Sequence, residues 1–275
     1  MCKVRGEVRR QKAEGRKQKV EVGARMVFSV VERSRMVLVV SICLICHSGC
    51  IFPRGQRYHH FTTPTPLARD QILIIGFMGG REPWNNDDRN VRKLALKLRS
   101  TNAPGVFVET VENKKRSLAI ELIKNAFDGN RDGKLDDRER ASMRLIIYGQ
   151  SFGGAAVVKL ARQLKKLDVP VALTVQVDSV GRGDKVIPSN VARAANLFQR
   201  NGWFIRGEPK ISAEDPAKTT IVGNFEFDYR HKQIDVSRVP LMKKVFRVAH
   251  TRMEYDPDVW KNVEEMILDS IKKLR

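Results

Sequence analysis

The sequence predicts an α/β protein, a three-layer sandwich in which a mostly parallel central sheet of about six strands has helices on both faces. Two observations predict this fold. Short apolar runs rich in β-branched residues alternate with stretches of helical spacing, an order that requires right-handed crossovers between parallel strands. Runs such as 145–148 (Leu-Ile-Ile-Tyr) are continuously apolar, as expected of central strands covered on both sides.

Each predicted strand is a short apolar run, and each predicted helix has apolar residues recurring at helical spacing. The strands are predicted at 71–77, 105–111, 144–149, 171–180, 219–227 and 245–250. The helices are predicted at 90–98, 117–127, 155–167, 191–199 and 257–274. Residues 181–218 leave room for only one helix and a short hairpin, which is too little for a lid, so we expect any pocket at the sheet edge to be open.

Charge is the unusual feature of the composition. The 275 residues are 42% hydrophobic, which excludes a disordered chain, and the 19 Gly and 11 Pro exclude a collagen-like one. The formal net charge is +20, of which residues 1–60 contribute +9. Such an excess attracts nucleic acid, anionic lipid or acidic polymers, but it does not determine a fold. Because no basic motif is interleaved with aromatic residues, we expect no specific nucleic-acid partner.

The first 50 residues differ from the rest and predict an export signal. A basic flank at 32–35 precedes an apolar run of 11 residues at 36–46, and small residues follow it. The run is shorter than the roughly 20 apolar residues of a membrane-spanning helix. Because ordinary signals have no long charged segment before them, we expect translation to begin at Met26 or Met36. The alternative is that the run forms a buried helix of the mature protein.

The four cysteines all lie in this head, at Cys2, Cys43, Cys46 and Cys50. The rest of the chain therefore has no disulfide framework, no thiolate nucleophile and no cysteine metal site. Residues 48–50 (Ser-Gly-Cys) resemble the end of a bacterial lipoprotein cleavage box, although His47 stands where that box prefers Leu. We therefore expect a secreted or cell-envelope protein, and the lipoprotein variant of this prediction anchors it to the membrane through Cys50.

The strongest motif is the turn at 149–153 (Gly-Gln-Ser-Phe-Gly), which follows a predicted strand. It is G-x-S-x-G between an apolar strand and an Ala-rich helix, the setting in which a nucleophilic serine is exposed. Ser151 needs a strained backbone position there, and side chains in place of Gly149 and Gly153 would strike neighbouring elements. Because the helix N-terminus directs unpaired N–H groups at the site, the Phe152 N–H is the expected oxyanion donor. The alternative is a tight turn whose serine only caps the helix.

These residues resemble the nucleophile turn of the α/β-hydrolase superfamily, in particular its small secreted esterases and lipase-like members. The resemblance covers 70–275, which we expect to be the catalytic domain, after the head at 1–50 and a polar linker at 51–69. It implies a serine hydrolase that cleaves a carboxylic ester or thioester through a Ser-His-Asp triad and an acyl-enzyme. In this family the serine, the acid and the histidine follow one another in that order along the chain.

Two histidines and two aspartates compete for the remaining triad positions. Only His231 and His250 follow Ser151. His250 closes the last predicted strand, where the family has its base, whereas His231 lies in a charged stretch typical of surface, so we prefer His250. Asp178 ends the strand after the nucleophile helix, on the same sheet edge as the serine. The more common family position is one strand later and would be Asp228, so both acids stay open, with Asp178 preferred.

The second oxyanion donor is expected from the Gly-rich turn at 75–80 (Ile-Gly-Phe-Met-Gly-Gly). The resemblance implies Phe77 as this donor, with Met78 as the next choice. Glycines in such a turn let backbone N–H groups approach the reacting carbonyl. A nucleotide-binding turn is excluded, because neither G-x-G-x-x-G nor a P-loop lysine is present.

Residues 128–139 fit the twelve-residue calcium loop of EF-hands, with Gly133 at the sharp turn. The oxygen ligands would come from Asp128, Asn130, Asp132, the carbonyl of Lys134, and Glu139. Only 140–143 separate the loop from the next strand, and there is no second hand, which favours one structural calcium clip over a sensor. The alternative is an acidic, glycine-rich turn that holds no metal.

The sequence therefore predicts one function and keeps a second from another class. The first is an exported serine hydrolase that acts as a monomer on a small ester-type substrate, with structural calcium and no catalytic cofactor. The second is a non-catalytic basic surface protein that keeps the fold and binds acidic polymers, and it is motivated by the basic clusters at 162–166 and 243–247.

Overall fold

The computed structural model describes residues 55–202, 205–237 and 248–275. These ranges belong to the second of two compact units, Gly55–Arg275. The predicted head at 1–50, with its export segment and cysteines, lies outside the described residues, as does the start of the predicted linker. No helix within the described ranges combines the length and the apolar composition of a membrane span.

A six-stranded sheet forms the centre of the described unit. Its strands are β1 (Ile72–Met78), β2 (Val106–Glu112), β3 (Arg144–Gln150), β4 (Val171–Val177), β6 (Val191–Phe198) and β8 (Thr220–Glu226). Two short strands, β5 (Val186–Ile187) and β7 (Ser212–Ala213), form a separate parallel pair. The order across the main sheet is β2-β1-β3-β4-β6-β8, and every neighbouring pair is parallel.

Helices cover both faces of this sheet. The described α-helices are α1 (Asn90–Ser100), α2 (Arg116–Phe127), α3 (Asp137–Ser142), α4 (Phe152–Lys165), α5 (Val248–Tyr255) and α6 (Pro257–Leu274). Every residue of β1 is buried, and successive side chains of a strand point to opposite faces. Leu73 and Ile75 accordingly pack with α2 and α4, whereas Ile72 and Ile74 pack with α1 and α6. The predicted three-layer α/β sandwich is confirmed.

One predicted helix is a strand. The prediction of a helix at 191–199 is wrong, because Val191–Phe198 is β6, which lies between β4 and β8. The segment (Val-Ala-Arg-Ala-Ala-Asn-Leu-Phe) contains several good helix formers, so its local preference misleads. Pairing with two neighbouring strands and burial of its last five residues outweigh that preference.

Two other predicted segments also differ from the structure. The last strand predicted at 245–250 is wrong over its described residues, because 248–250 begin α5. Ala249 and Met253 lie four residues apart on one helical face and pack in the core. The described part of 181–218, predicted to hold a helix and a hairpin, contains β5, β6 and β7 and no helix. Because β5 and β7 are parallel, they do not form a hairpin.

Residues 55–67 of the predicted linker pack against β2. The Gln56 side-chain amide donates to the Thr110 carbonyl at 2.8 Å and accepts from the Glu112 N–H at 3.2 Å. It thereby satisfies backbone groups on the outer edge of the sheet, which would otherwise be available to another strand. The N–H groups of Thr62 and Thr63 donate to the Glu109 carboxylate at 2.7 and 2.9 Å. This part of the linker is therefore integrated in the domain.

The order of the strands creates a crevice at one edge of the sheet. From β1 the chain moves to β2 on one side, and it then returns to β3 on the other side. Loops after two such strands diverge, so open parallel sheets have a crevice at the carboxyl edge at this point. Gly79 follows β1, Ser151 follows β3 and Asp178 follows β4, so all three lie at this edge.

Candidate active site

The turn around Ser151 has the strained backbone expected from its sequence. Ser151 has φ 57° and ψ −123°, a positive φ that non-glycine residues rarely adopt. A Cβ on Gly149 would collide with the backbone of Gly153, and a Cβ on Gly153 would collide with the Phe77 carbonyl of β1. The Ser151 N–H donates to the Val177 carbonyl at 2.9 Å. Two neighbouring strands therefore hold the turn in this conformation.

Helix α4 begins directly after the serine and is pressed against the sheet. Its first residue is Phe152, whose side chain is half exposed. The N–H groups of the first turn have no partner within the helix, so they concentrate positive potential beside Ser151. A Cβ on Gly154 would lie 2.8 Å from the Ser179 Cβ, which shows how closely the helix approaches the loop after β4.

His250 and Asp178 form a buried pair. His250 Nδ1 lies 2.6 Å from Asp178 Oδ2, and both side chains are almost completely excluded from solvent. A carboxylate accepts hydrogen bonds, so in the neutral imidazole Nδ1 has the proton and Nε2 keeps its lone pair. His250 reaches this position from α5 rather than from the end of a strand.

The Asp178 carboxylate is fixed from several sides. Asp178 follows β4 with φ 43° and is fully buried. Gln199, directly after β6, donates to it through its side-chain nitrogen at 3.1 Å and its backbone N–H at 3.4 Å. Gly207 packs so closely that a Cβ there would collide with the carboxylate. The orientation of Asp178 thus depends on residues more than twenty positions away in the chain.

The two alternative triad residues lie at the surface. Asp228 pairs with Arg230 at 2.5 Å, and its hydrogen bonds to that guanidinium and backbone lower its pKa to about 2. His231 is exposed. Asp178, and not Asp228, is therefore the carboxylate in contact with His250.

Ser151 and His250 face one small cavity of about 30 Å³. A space of this size holds about one water molecule. The other residues that line it are Gly79, Gly80, Glu82, Gln150, Thr251 and Glu254. The predicted nucleophile and the predicted base therefore line the same cavity, although they are 99 positions apart in the sequence.

The expected second oxyanion donor lies inside the sheet. Phe77 is a fully buried residue of β1 and stands opposite Val111 of β2 and Gly149 of β3. Backbone N–H groups of a central strand are directed at neighbouring strands. Met78, the last residue of β1, is paired with Glu112 of β2. Gly79 and Gly80 line the cavity instead. Phe77 and Met78 are not among the residues that line it.

Sequence reasoning missed the polar residues around the cavity. Arg89 links two of them, because it pairs with Glu82 at 2.5 Å and with Glu254 at 2.8 Å. These ion pairs connect the loop after β1 with the helix that holds His250. Glu254 lies one helical turn after His250, a spacing that would have indicated it only if 248–255 had been predicted as a helix.

The segment after β8 anchors the helix of His250. Tyr229 is buried, and its hydroxyl donates to the Asp256 carboxylate at 2.7 Å. Burial and this carboxylate raise the pKa of Tyr229 well above its usual range. Arg252 of α5 donates to the Tyr229 carbonyl at 2.9 Å. These contacts hold α5 in place at its junction with α6. They thereby help to fix the position of His250.

The predicted calcium loop is a mostly exposed turn, although its first residue, Asp128, is buried, and its side chains bind its own backbone. Asp128 accepts from the N–H groups of Asp132 and Gly133 at 3.1 and 2.8 Å. Glu139 accepts from the Gly129 N–H at 2.8 Å and caps α3. The donor atoms are oxygens, which suit calcium. However, nowhere in the described ranges do three or more His, Cys, Asp or Glu side chains gather closely enough to hold a metal. Calcium binding by Asp128, Asn130, Asp132, Lys134 and Glu139 stays a prediction.

Comparisons with known proteins find similarity only among solved structures. No protein-family model matches the sequence, and no curated protein matches it. A cutinase-like protein from Cryptococcus sp. is 13% identical, with 76% of this chain and 98% of that chain covered and a TM-score of 0.42. A structure of RedJ with a PEG molecule bound in its active site is 10% identical, with 65% and 86% covered and a TM-score of 0.32.

An uncharacterized protein from Pseudomonas aeruginosa also matches, at 12% identity and a TM-score of 0.37. The match covers 57% of this chain and 40% of that protein. Likenesses this distant do not determine an activity. The fold class therefore rests on the sheet order and helix layers described above, and the function must be argued from the site itself.

Proposed function

We propose that this protein is an exported serine hydrolase that cleaves a carboxylic ester or thioester through an acyl-enzyme. One observation carries the proposal. The buried imidazole of His250 is bound to Asp178 at 2.6 Å and faces the same cavity as Ser151, whose backbone is strained at φ 57°. A merely structural serine has no need of a strained turn beside an oriented histidine.

The reaction uses the proton of the serine hydroxyl. His250 Nε2 takes that proton while Ser151 Oγ attacks the substrate carbonyl, and the carbonyl oxygen becomes an oxyanion. Nε2 then gives the proton to the leaving alcohol or thiol, and the acyl group stays on the serine. A water molecule repeats the sequence against the acyl-enzyme, so the acid is released and the serine is restored.

Backbone N–H groups supply the oxyanion site in this proposal. The first donor is Phe152, at the first position of α4, where its N–H has no partner within the helix. The second is Gly79 or Gly80, which line the cavity and replace Phe77 in this role. Donors of this kind are built into the fold, so they stabilise the developing charge without rearrangement.

Asp178 acts as the positioning acid. Its bond to Nδ1 keeps the imidazole in the tautomer whose Nε2 can accept a proton, and it stabilises the imidazolium that forms during each half-reaction. Gln199 holds the carboxylate through two hydrogen bonds, which supports a fixed orientation.

Export belongs to the same proposal and rests on the apolar run at 36–46 and its flanks. N-terminal sequencing of protein from the culture medium and from the cell envelope tests it. A mature chain that begins after residue 47 supports export, and a lipid on Cys50 supports anchoring. A chain that stays in the cytoplasm with the run intact contradicts it.

Labelling with a fluorophosphonate probe tests the catalytic part. These probes react only with an activated serine, so we expect the wild type to be labelled and Ser151→Ala to remain unlabelled. A wild type that folds and is not labelled contradicts the proposal, and it favours the non-catalytic basic protein that keeps the fold. A panel of nitrophenyl esters of increasing chain length then identifies the preferred acyl group.

A further inference from the structure

The cavity that Ser151 and His250 face is too small for a whole substrate. Its volume of about 30 Å³ holds roughly one water molecule, so most of any ester must lie outside it. A second cavity of about 190 Å³ adjoins it, and Gly80 and Glu82 line both. This second cavity lies where β1 and β2 end, and it is lined by Gly80, Arg81, Glu82, Glu112, Asn113 and Lys114. It has room for a substrate group of several non-hydrogen atoms next to the reacting carbonyl.

The lining of the second cavity does not suit an alkyl chain, because none of its six residues has an apolar side chain. An alkyl group gains binding free energy when it leaves water for apolar surroundings, about 25 cal/mol for each Å² buried. In this cavity it would lie against charged groups instead. It would also displace water from those groups, which costs free energy. The cavity therefore favours a polar substrate group.

The two carboxylates of the second cavity already have hydrogen-bond donors. Glu82 is bound to Arg89 at 2.5 Å and to the Asn86 side-chain amide at 3.0 Å. Glu112 accepts from the Gln56 N–H at 3.2 Å. A ligand therefore does not have to supply a donor to either carboxylate.

The two cations of the second cavity, in contrast, have no partner. Arg81 and Lys114 are exposed, and neither side chain has a hydrogen bond or an ion pair to any described residue. The loop of Lys114 continues with two more cations, Lys115 and Arg116, and Arg116 donates to the Asn113 carbonyl at 3.1 Å. Positive charge is thus the charge that remains unpaired at this cavity. Arginine and lysine bind carboxylates and phosphates through charge-assisted hydrogen bonds.

We propose that the second cavity binds an anionic group of the substrate, so that the hydrolase acts on esters with a carboxylate or a phosphate a few bonds from the reacting carbonyl. This inference rests on the proposed function and specifies its substrate class. Arg81 and Lys114 are the specificity residues, because their unpaired charges contact the anion. The anion belongs to the acyl part or to the alcohol part of the ester, since the carbonyl carbon is bonded to both.

The experiment compares charged and neutral esters of similar size, with acid release followed in a pH-stat. Monomethyl succinate against methyl butyrate places the carboxylate on the acyl part, and meta-acetoxybenzoate against meta-acetoxybenzamide places it on the alcohol part. For one of the two pairs we expect the wild type to have a kcat/KM about five- to tenfold higher on the charged ester, as two partly exposed charge pairs provide. In the double variant Arg81→Gln/Lys114→Gln this ratio should fall to within about twofold of one. Added salt should weaken the preference of the wild type, because both cations are exposed.

The double variant Lys93→Gln/Lys261→Gln is the matched control. These two lysines are also exposed, and they line a different cavity between α1 and α6 that contains none of the residues around Ser151. The control loses the same two positive charges, so it has the same net charge as the test variant. It should keep the preference of the wild type.

The outcomes separate the two proposals. A folded wild type that the fluorophosphonate probe does not label overturns the proposed function. A labelled wild type that prefers the charged ester in neither pair overturns only the anionic substrate class. A preference that survives in Arg81→Gln/Lys114→Gln, or that the control loses equally, also overturns it. Where turnover is too slow to follow, the protection that each ester gives against labelling supplies the same comparison.

Discussion

The serine turn at 149–153 and the acidic loop at 128–139 are both short motifs that stand out in the sequence, but the fold treats them differently. The serine turn is held by remote elements: Ser151 bonds to β4, and Gly153 lies against the backbone of β1. The acidic loop satisfies its side chains with its own backbone, as Asp128 and Glu139 show. A motif that remote strands constrain cannot change without disturbing the sheet, whereas a self-contained turn can.

The largest expected effect comes from replacing each of the two candidate acids in turn. Asp178→Asn removes the negative charge that stabilises the imidazolium, and its NH₂ group can donate to Nδ1 and so select the wrong tautomer. We therefore expect kcat on a nitrophenyl ester to fall about 10⁴-fold with folding intact. Asp228→Asn changes only an exposed pair with Arg230 and should leave kcat within about twofold. Circular dichroism checks that both variants fold. The reverse order of effects would assign the acid to Asp228.

A matched pair of glycine variants tests the comparison directly. Gly153→Ala forces a methyl group against the Phe77 carbonyl, so we expect a loss of about 3 kcal/mol in the free energy of unfolding, with labelling abolished. Gly133→Ala meets no atom within 4 Å and is strained only by its φ of 81°, which costs about 1 kcal/mol. Urea titration of both variants measures the difference. Equal losses would show that the two turns are constrained alike.

The next largest effect is expected from Tyr229, whose hydrogen bonds hold α5 in place. Tyr229→Phe removes the hydroxyl that donates to the buried Asp256, and we expect about 1.5 kcal/mol less stability. Because this contact helps to fix the helix of His250, labelling of Ser151 should slow as well. Thermal melts and labelling rates at one pH measure both effects. An unchanged labelling rate with reduced stability would mean that α5 keeps its position without this bond.

The smallest effect concerns the acidic loop. If it binds calcium weakly, 1 mM Ca²⁺ should raise the melting temperature by about 2–4 °C, which corresponds to about 1 kcal/mol. A chelator should reverse the rise, and Glu139→Gln should abolish it because it removes the bidentate ligand. A melt that neither calcium nor chelator alters would identify 128–139 as an acidic turn without metal. Labelling of Ser151 should be the same in every arm.

Local sequence patterns predicted those elements whose intrinsic secondary-structure preference agrees with their surroundings in the fold. The continuously apolar β1 and β3 and the glycines of the serine turn were predicted close to their observed positions. β6 was missed because its residues favour a helix and only pairing with β4 and β8 makes it a strand. His250 was predicted as the base because few histidines follow Ser151. It was placed at the end of a strand, whereas it lies in the helix α5. The first turn of α5 coincides with the end of an apolar run, which the sequence pattern favours as a strand.

By itself, the sequence determined the α/β class, the serine turn and the short set of candidates for base and acid, because these depend on residue types and on neighbours within a few positions. Only the tertiary structure placed Asp178 rather than Asp228 beside His250, and brought Gly79 and Gly80 rather than Phe77 and Met78 to the lining of the cavity. These outcomes depend on which strand ends meet at one sheet edge. That meeting is set by strand order and by the burial of β-strands between two helical layers, which no local pattern encodes.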